Sequence, residues 1–141
     1  MLKFQKEAIN RVREYAKAKE AENNVIIQNF CNPCGVEIPA LINRILHNPI
    51  TINFHPDRFA NNGKTIIENL IEQGMYHGQF RTGTTNGGRT AYIGGDRYSW
   101  EQRIFFNAYP KGNIDRPKYG ALNIFRYLDG ATVRFGSCFL Y

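Results

Sequence analysis

The run Asn48-Pro49-Ile50-Thr51-Ile52-Asn53-Phe54-His55-Pro56-Asp57-Arg58 divides the chain into two kinds of pattern. Inside it Ile50, Ile52 and Phe54 alternate with Thr51 and Asn53, the period of two expected of a half-buried strand. Upstream the period is helical. Over residues 2–21, Phe4, Ala8, Ile9, Val12, Tyr15 and Ala16 recur at three- and four-residue spacing among Lys, Arg and Glu, which predicts one amphipathic helix. A second helix is expected over 38–47, with Pro39 in its first turn and Leu41, Ile42, Ile45 and Leu46 on its buried side. It must stop at Asn48-Pro49, because proline forbids continuation.

Downstream of the strand a third helix is expected over 65–73, closed by Gly74 as a C-cap. From there the apolar runs shorten and Gly, Asn and Asp interrupt them, as at Gly94-Gly95-Asp96, Lys111-Gly112-Asn113 and Asp129-Gly130. Such dense turn signals predict strands and loops, with 100–106 as the one helical exception. The fold class is therefore α+β, N-terminal helices followed by a mostly antiparallel, loop-rich sheet. Its 141 residues suit a single domain: helical over 1–48, mixed over 49–75, and rich in strands and loops over 76–141.

Composition narrows the function classes. At 43% apolar and 21% charged, the chain is excluded from the disordered and low-complexity classes. No stretch approaches the roughly 18 apolar residues of a membrane span, and the first residues lack the apolar core of a secretory signal. No membrane role is expected; the expected location is the cytoplasm, or delivery from a bacterium by a system that needs no cleavable signal peptide. The net charge is +6, and the second half carries the excess as arginines. That side chain has the planar fork that matches phosphate and carboxylate, so an anionic ligand is expected. Simple solubility accounts equally for most of these charges taken singly.

Several groupings carry possible chemistry. Cys31-Asn32-Pro33-Cys34 is half of a zinc site without a second pair of ligands at a convincing spacing. A redox role lacks the usual βαβ context, so the motif reads first as a structural turn. His55-Pro56-Asp57-Arg58 puts polar groups at a strand's end, either as a binding site on a rigid support or as a plain turn. Asn86-Gly87-Gly88 is a hairpin signal, or a place where backbone N–H groups approach a phosphate. Asp96-Arg97-Tyr98-Ser99-Trp100-Glu101 offers carboxylates beside an aromatic platform, suited to a ribose and a flat base; it also reads as an N-cap and a helix with a core tryptophan. Arg116-Pro117-Lys118-Tyr119-Gly120 and Arg134-Phe135-Gly136-Ser137 place glycine where something approaches the backbone closely.

Taken in order, the blocks at 55–58, 79–87, 94–101, 116–123 and 134–138 resemble a bacterial family catalogued, under the number 3626, as a domain of unknown function. The resemblance extends over about residues 4–141, and that family is in turn similar to ADP-ribosyltransferases, including effectors that modify ubiquitin on a threonine. It implies an ADP-ribosyltransferase-like fold with NAD as a substrate, cleaved at its glycosidic bond through an oxocarbenium-like state. The roles it implies are Arg58 as the strand arginine that contacts NAD, Ser137 as the hydroxyl group, His55 on a ribose hydroxyl and Phe80 as the aromatic, with Thr84, Asn86 and Gly87 beside the cofactor. In the family pattern an acidic motif follows the last block. This sequence stops at Tyr141. The expectation is a C-terminally truncated fragment that binds without catalysing; the alternative gives the missing glutamate's role to Glu101. The implied partner is a protein acceptor such as ubiquitin. A basic nucleic-acid-binding module is the competing reading, from Tyr92, Tyr98 and Tyr119 interleaved with basic residues. A metal-dependent hydrolase built on His55, Asp57 and Asp96 has no ligand spacing to support it.

Overall fold

The computed structural model describes residues 1–85 and 90–141. Two compact units emerge: Met1–Asn48 with Gln102–Pro110, and Pro49–Glu101 with Lys111–Tyr141. Among the described residues the architecture is α+β, six α-helices and a three-stranded antiparallel sheet.

In the first unit, α1 (Lys3–Ala18) begins one residue inside the expected helix, where Gln5 accepts a hydrogen bond from the Leu2 N–H at 2.8 Å. The single helix expected over 2–21 is in fact two, broken at Lys19, where ψ rises to 2°. Beyond the break α2 (Glu20–Cys31) continues, with Glu20 and Glu22 in its first turn, where carboxylates complement the helix dipole. A 3-10 helix, Asn32–Cys34, then leads to α3 (Ile38–Leu46), which carries Pro39 in its first turn as expected. The anticipated buried side of α3 is not buried: Leu41 is half-buried, and Ile42, Ile45 and Leu46 are exposed. The helix α3 meets is α2, itself exposed from Glu20 to Phe30, so neither provides the other with a core. What packs on α1 is the 102–110 segment: Tyr109 lies 5.4 Å from Phe4, and the Arg11 guanidinium donates to the Phe106 carbonyl at 2.6 Å.

The second unit is organised on β1 (Ile50–Phe54), the central strand between β2 (Ala121–Leu122) and β3 (Cys138–Leu140). The strand is where the sequence places it, but of its apolar face Phe54 alone is buried, and the opposite face is buried as well. Thr51 and Asn53 are 0% and 4% exposed, while Ile50 is 59% exposed. The reason is polar rather than apolar. Asn53 donates to the carbonyls of Asp129 and Gly136 and accepts from the Thr132 N–H and hydroxyl, and Thr51 accepts from the Ala131 N–H. The strand thereby pins the 129–136 loop through side chains, and bonding satisfies polar groups that burial would otherwise penalise. Phe54 remains in the core at 2% exposure, 5.2 Å from the Tyr76 ring.

Two glycines sit where the sequence signalled a close approach. A Cβ on Gly136, at φ +145°, would stand 1.9 Å from the Phe54 carbonyl carbon, and one on Gly120 would stand 2.5 Å from Ile50 Cγ2. Both let neighbouring chain lie against β1. α4 (Ile66–Gln73) matches its expectation, with a Thr65–Glu68 capping box at its start and Gly74 in the left-handed region at its end. Beyond it the sheet-rich forecast is corrected. α5 (Gln79–Thr82) is helical, the helix expected over 100–106 forms earlier and longer as α6 (Asp96–Ile104), and among the described residues β2 and β3 are the only strands there. Side chains do there what ladders do elsewhere; buried Asn123, for example, closes a loop by bonding both the N–H and the carbonyl of Tyr127 at 2.9 Å. β3 forms an edge of the sheet, and Tyr141 is 83% exposed.

Candidate functional site

A cavity of about 340 Å³ opens in the second unit, between the 76–80 segment, α6, and the 117–121 strand entry. That volume lies at the small end of the range for ligand pockets. Phe80, Tyr76 and Tyr119 supply aromatic walls, and Arg97, Lys118 and Glu101 are the charged residues of the lining.

Behind the lining lies a buried ion pair. Glu101 is completely enclosed, and its Oε2 accepts from Arg116 at 3.0 Å while its Oε1 accepts from the Tyr119 hydroxyl at 2.9 Å. The Arg97 Nε stands 3.7 Å from the same carboxylate, one helical turn before it on α6. Arg116 is as buried as its partner. Its guanidinium lies 4.1 Å over the Tyr98 ring and 5.3 Å over the Phe80 ring, and its Nε donates to the Asn113 carbonyl. Each such cation–π contact contributes about 0.5–2 kcal/mol once water is excluded. Arg97 is stacked in turn over Tyr119 at 4.4 Å and donates to Gln79 at 2.7 Å. One carboxylate thus holds the two arginines that brace the aromatic lining, Phe80 through Arg116 and Tyr119 through Arg97. Of those two, Arg97 keeps a solvent-accessible face, its side chain being 26% exposed.

Outside the lining, Arg81 and Asp115 form an exposed ion pair at 2.8 Å. His77 is nearby, with its pKa depressed first by burial, then by the charges of Arg81 and Lys118, against a smaller opposing effect of Asp115.

Of the residues given individual roles in the sequence, Phe80 and Glu101 line this cavity, and His55, Arg58, Thr84 and Ser137 do not. His55 and Ser137 come to neighbouring positions, because β3 pairs Cys138 with Phe54. Arg58 is exposed on the turn after β1, its guanidinium donating to the Thr85 carbonyl, while the Thr84 hydroxyl donates to the Phe59 carbonyl. That turn is anchored to α4, since the Arg58 carbonyl accepts from the Ile66 N–H at 2.8 Å. Arg58 and Thr84 therefore share one loop cluster, and three residues, Arg81, Thr82 and Gly83, connect Thr84 back to Phe80. Asn86 and Gly87 lie outside the described residues. Trp100 is no core residue: it is 41% exposed, with its ring 5.7 Å from Tyr119. Arg97, Arg116 and Tyr119 were visible only as members of basic and aromatic blocks; their shared carboxylate gave no local signal. Among the described residues no three of His, Cys, Asp and Glu converge as metal ligands, and no single helix is long and apolar enough to cross a membrane.

A family model described as "Protein of unknown function (DUF3626)" matches residues 49–141. The match begins at Pro49, the first residue of the unit that holds the cavity. No curated protein and no solved structure matches the chain.

Proposed function

We propose, from the premise that this chain belongs to the DUF3626 family, that its second unit binds NAD in the manner of an ADP-ribosyltransferase. The observation that supports this reading best is the cavity itself, a space for one flat ring and its sugar, with aromatic walls and two cations. A nicotinamide or adenine ring lies between Phe80 and Tyr119, and Arg97 and Lys118 face the phosphates. The rest of the dinucleotide runs along α5 toward the loop cluster, where Arg58 exchanges its Thr85 partner for phosphate and His55 and Ser137 meet a ribose.

The reaction this binding serves is transfer of ADP-ribose to a protein side chain, with ubiquitin as a candidate acceptor. Nicotinamide leaves as its glycosidic bond to the ribose breaks, and the acceptor's nucleophile bonds to the anomeric carbon. Glu101 is not the carboxylate that meets the oxocarbenium ion in this reading. Both of its oxygens are occupied by Arg116 and Tyr119, so it acts as a positioning residue for the cavity walls.

Thermal unfolding in millimolar NAD tests the proposal. A ligand that binds only the native state stabilises it by RT ln(1 + [L]/Kd), about 2.7 kcal/mol at a hundredfold excess over Kd. The shift should shrink in Phe80→Ala, Lys118→Ala and Arg58→Ala. No shift with NAD, beside a salt-sensitive response to a single-stranded oligonucleotide, would transfer the site to the nucleic-acid reading. Release of nicotinamide, measured in the same samples, separates binding from turnover.

A further inference from the structure

Cys31-Asn32-Pro33-Cys34-Gly35 lies outside the residues matched by the family and takes no part in the cavity. Its backbone is well suited to a bond between its two thiols. Cys31 ends α2 with φ −77° and ψ −41°, Asn32 follows at −59° and −47°, and Asn32–Cys34 is a 3-10 helix. In such a turn residues three apart eclipse one another at a rise of about 2 Å per residue, which sets Cys31 and Cys34 about 6 Å apart. The usual Cα separation across a disulfide is about 4.4–6.8 Å. The turn is held independently of the sulfurs: the Val36 N–H donates to the Cys31 carbonyl at 3.0 Å and the Gly35 N–H to the Asn32 carbonyl at 3.1 Å. Pro33 fixes one φ inside it, and Gly35 leaves it through the left-handed region at φ 62°. Both thiols are free, and they differ in access. Cys34 is exposed and Cys31 is buried at 8%.

We propose that Cys31 and Cys34 are a redox-active dithiol that closes to an intramolecular disulfide by exchange with a small disulfide of the glutathione class. The exposed Cys34 thiolate attacks one sulfur of the oxidised peptide, giving a mixed disulfide and expelling one glutathione thiolate. Cys31, deprotonated in turn, attacks the Cys34 sulfur and expels the second. The two cysteines lose two electrons and two protons, and one disulfide becomes two thiols. The product clamps the end of α2 to the turn that leads into α3. Zinc is the weaker use of the pair, since no third ligand converges on it among the described residues.

Incubation of the full chain with oxidised glutathione, followed by intact mass and peptide mapping, tests this. The wild type should lose two hydrogens and retain no glutathione at Cys34, with the cross-link mapped inside the 31–34 peptide. Alkylation of Cys34 should drop about tenfold and return on reduction. Cys31→Ser should retain one glutathione on Cys34, and Cys34→Ser none on Cys31. A wild type that keeps glutathione on Cys34, or that cross-links to Cys138 instead, overturns the proposal, as does an unreactive Cys34. Mapping the wild type decides the matter even where a substitution prevents folding.

Discussion

Replacing Glu101 with glutamine removes one charge from a place water does not reach. The carboxylate is fully buried and the Arg116 side chain is 1% exposed, so the remaining guanidinium has no solvent to fall back on. Breaking a buried pair by deleting one partner costs about 3–5 kcal/mol. Glutamine keeps the volume and one acceptor for Arg116, and the Tyr98 ring at 4.1 Å still faces the cation. About 3 kcal/mol is therefore expected, the lower end of the range. For a unit of this size each kcal/mol lowers Tm by about 4–8 °C, which gives a fall of about 12–24 °C. Replacing both partners by apolar residues of similar volume, Glu101→Leu with Arg116→Met, should recover most of the loss, since neither charge then needs solvation. Urea unfolding followed by Trp100 fluorescence is the assay: this is the one tryptophan of the sequence, and it lies against Tyr119. A Glu101→Gln variant within about 1 kcal/mol of wild type would refute the reasoning. So would a double variant as unstable as the sum of its singles, because the cost would then not come from an orphaned charge.

The buried polar face of β1 gives a second expectation. Asn53→Ala should cost about 2–3 kcal/mol by orphaning the groups it bonds, while Ile50→Ala, at a site 59% exposed, should cost below about 1 kcal/mol in the same urea titration. Thr65→Ala should cost about 1 kcal/mol through loss of the α4 cap. Hydrogen bonds from the Thr65 backbone and then its hydroxyl hold the Glu68 carboxyl below its ordinary 4.5; the stability this confers is present above about pH 4.5 and lost as pH falls through the depressed folded-state value. Thermal midpoints of Glu68→Gln should lack that acid-dependent component. His77 has the opposite charge type but the same dependence: its folded pKa is depressed, so the unfolded chain binds more protons, and stability falls as pH drops below 6.5 toward the folded value. An NMR titration midpoint at or above 6.5 would contradict it.

What the sequence disclosed and what it hid follow from the range of the forces involved. Pro49, the Thr65–Glu68 box and Gly74 act within one turn of chain, and the elements they bound, α3, β1 and α4, stand within a residue of where spacing puts them. The choice of buried face on β1 was not local. Period two identifies a strand, but which set of side chains faces the interior is decided by what covers it, and here that is a loop some 80 residues away bonded to Thr51 and Asn53. Apolar Ile50 lost to threonine and asparagine because the covering loop brings unpaired N–H and carbonyl groups, which need polar partners. The same logic explains the strands missing from the described residues after residue 76, where Asn113 and Asn123 side chains satisfy the backbone and remove its need for a ladder.

The cavity required long-range pairing to become visible. An excess of arginine in the second half suggested an anion without saying which arginines meet it. Burial decides. Arg116 is neutralised by Glu101 and spends its remaining faces on Tyr98 and Phe80, so it shapes the cavity and contributes little to its field. Arg97 shares the same carboxylate at the longer distance of 3.7 Å, and the one acid of the lining, Glu101, is taken up by Arg116 and Arg97 rather than by Lys118. One carboxylate divided between two guanidiniums leaves a surplus of positive charge, and Arg97 and Lys118 are the charges that face the open space. In a partly desolvated pocket such a surplus acts through an effective dielectric far below that of water, which strengthens its pull on a phosphate several-fold. Glu101 therefore does two things at once. It fixes the aromatic walls, and by being a single acid it leaves the cavity positive; a second carboxylate introduced at Gln79, which accepts from Arg97 at 2.7 Å, should neutralise Arg97, leave Lys118 as the one unopposed charge of the lining and weaken anion binding without disturbing the buried pair.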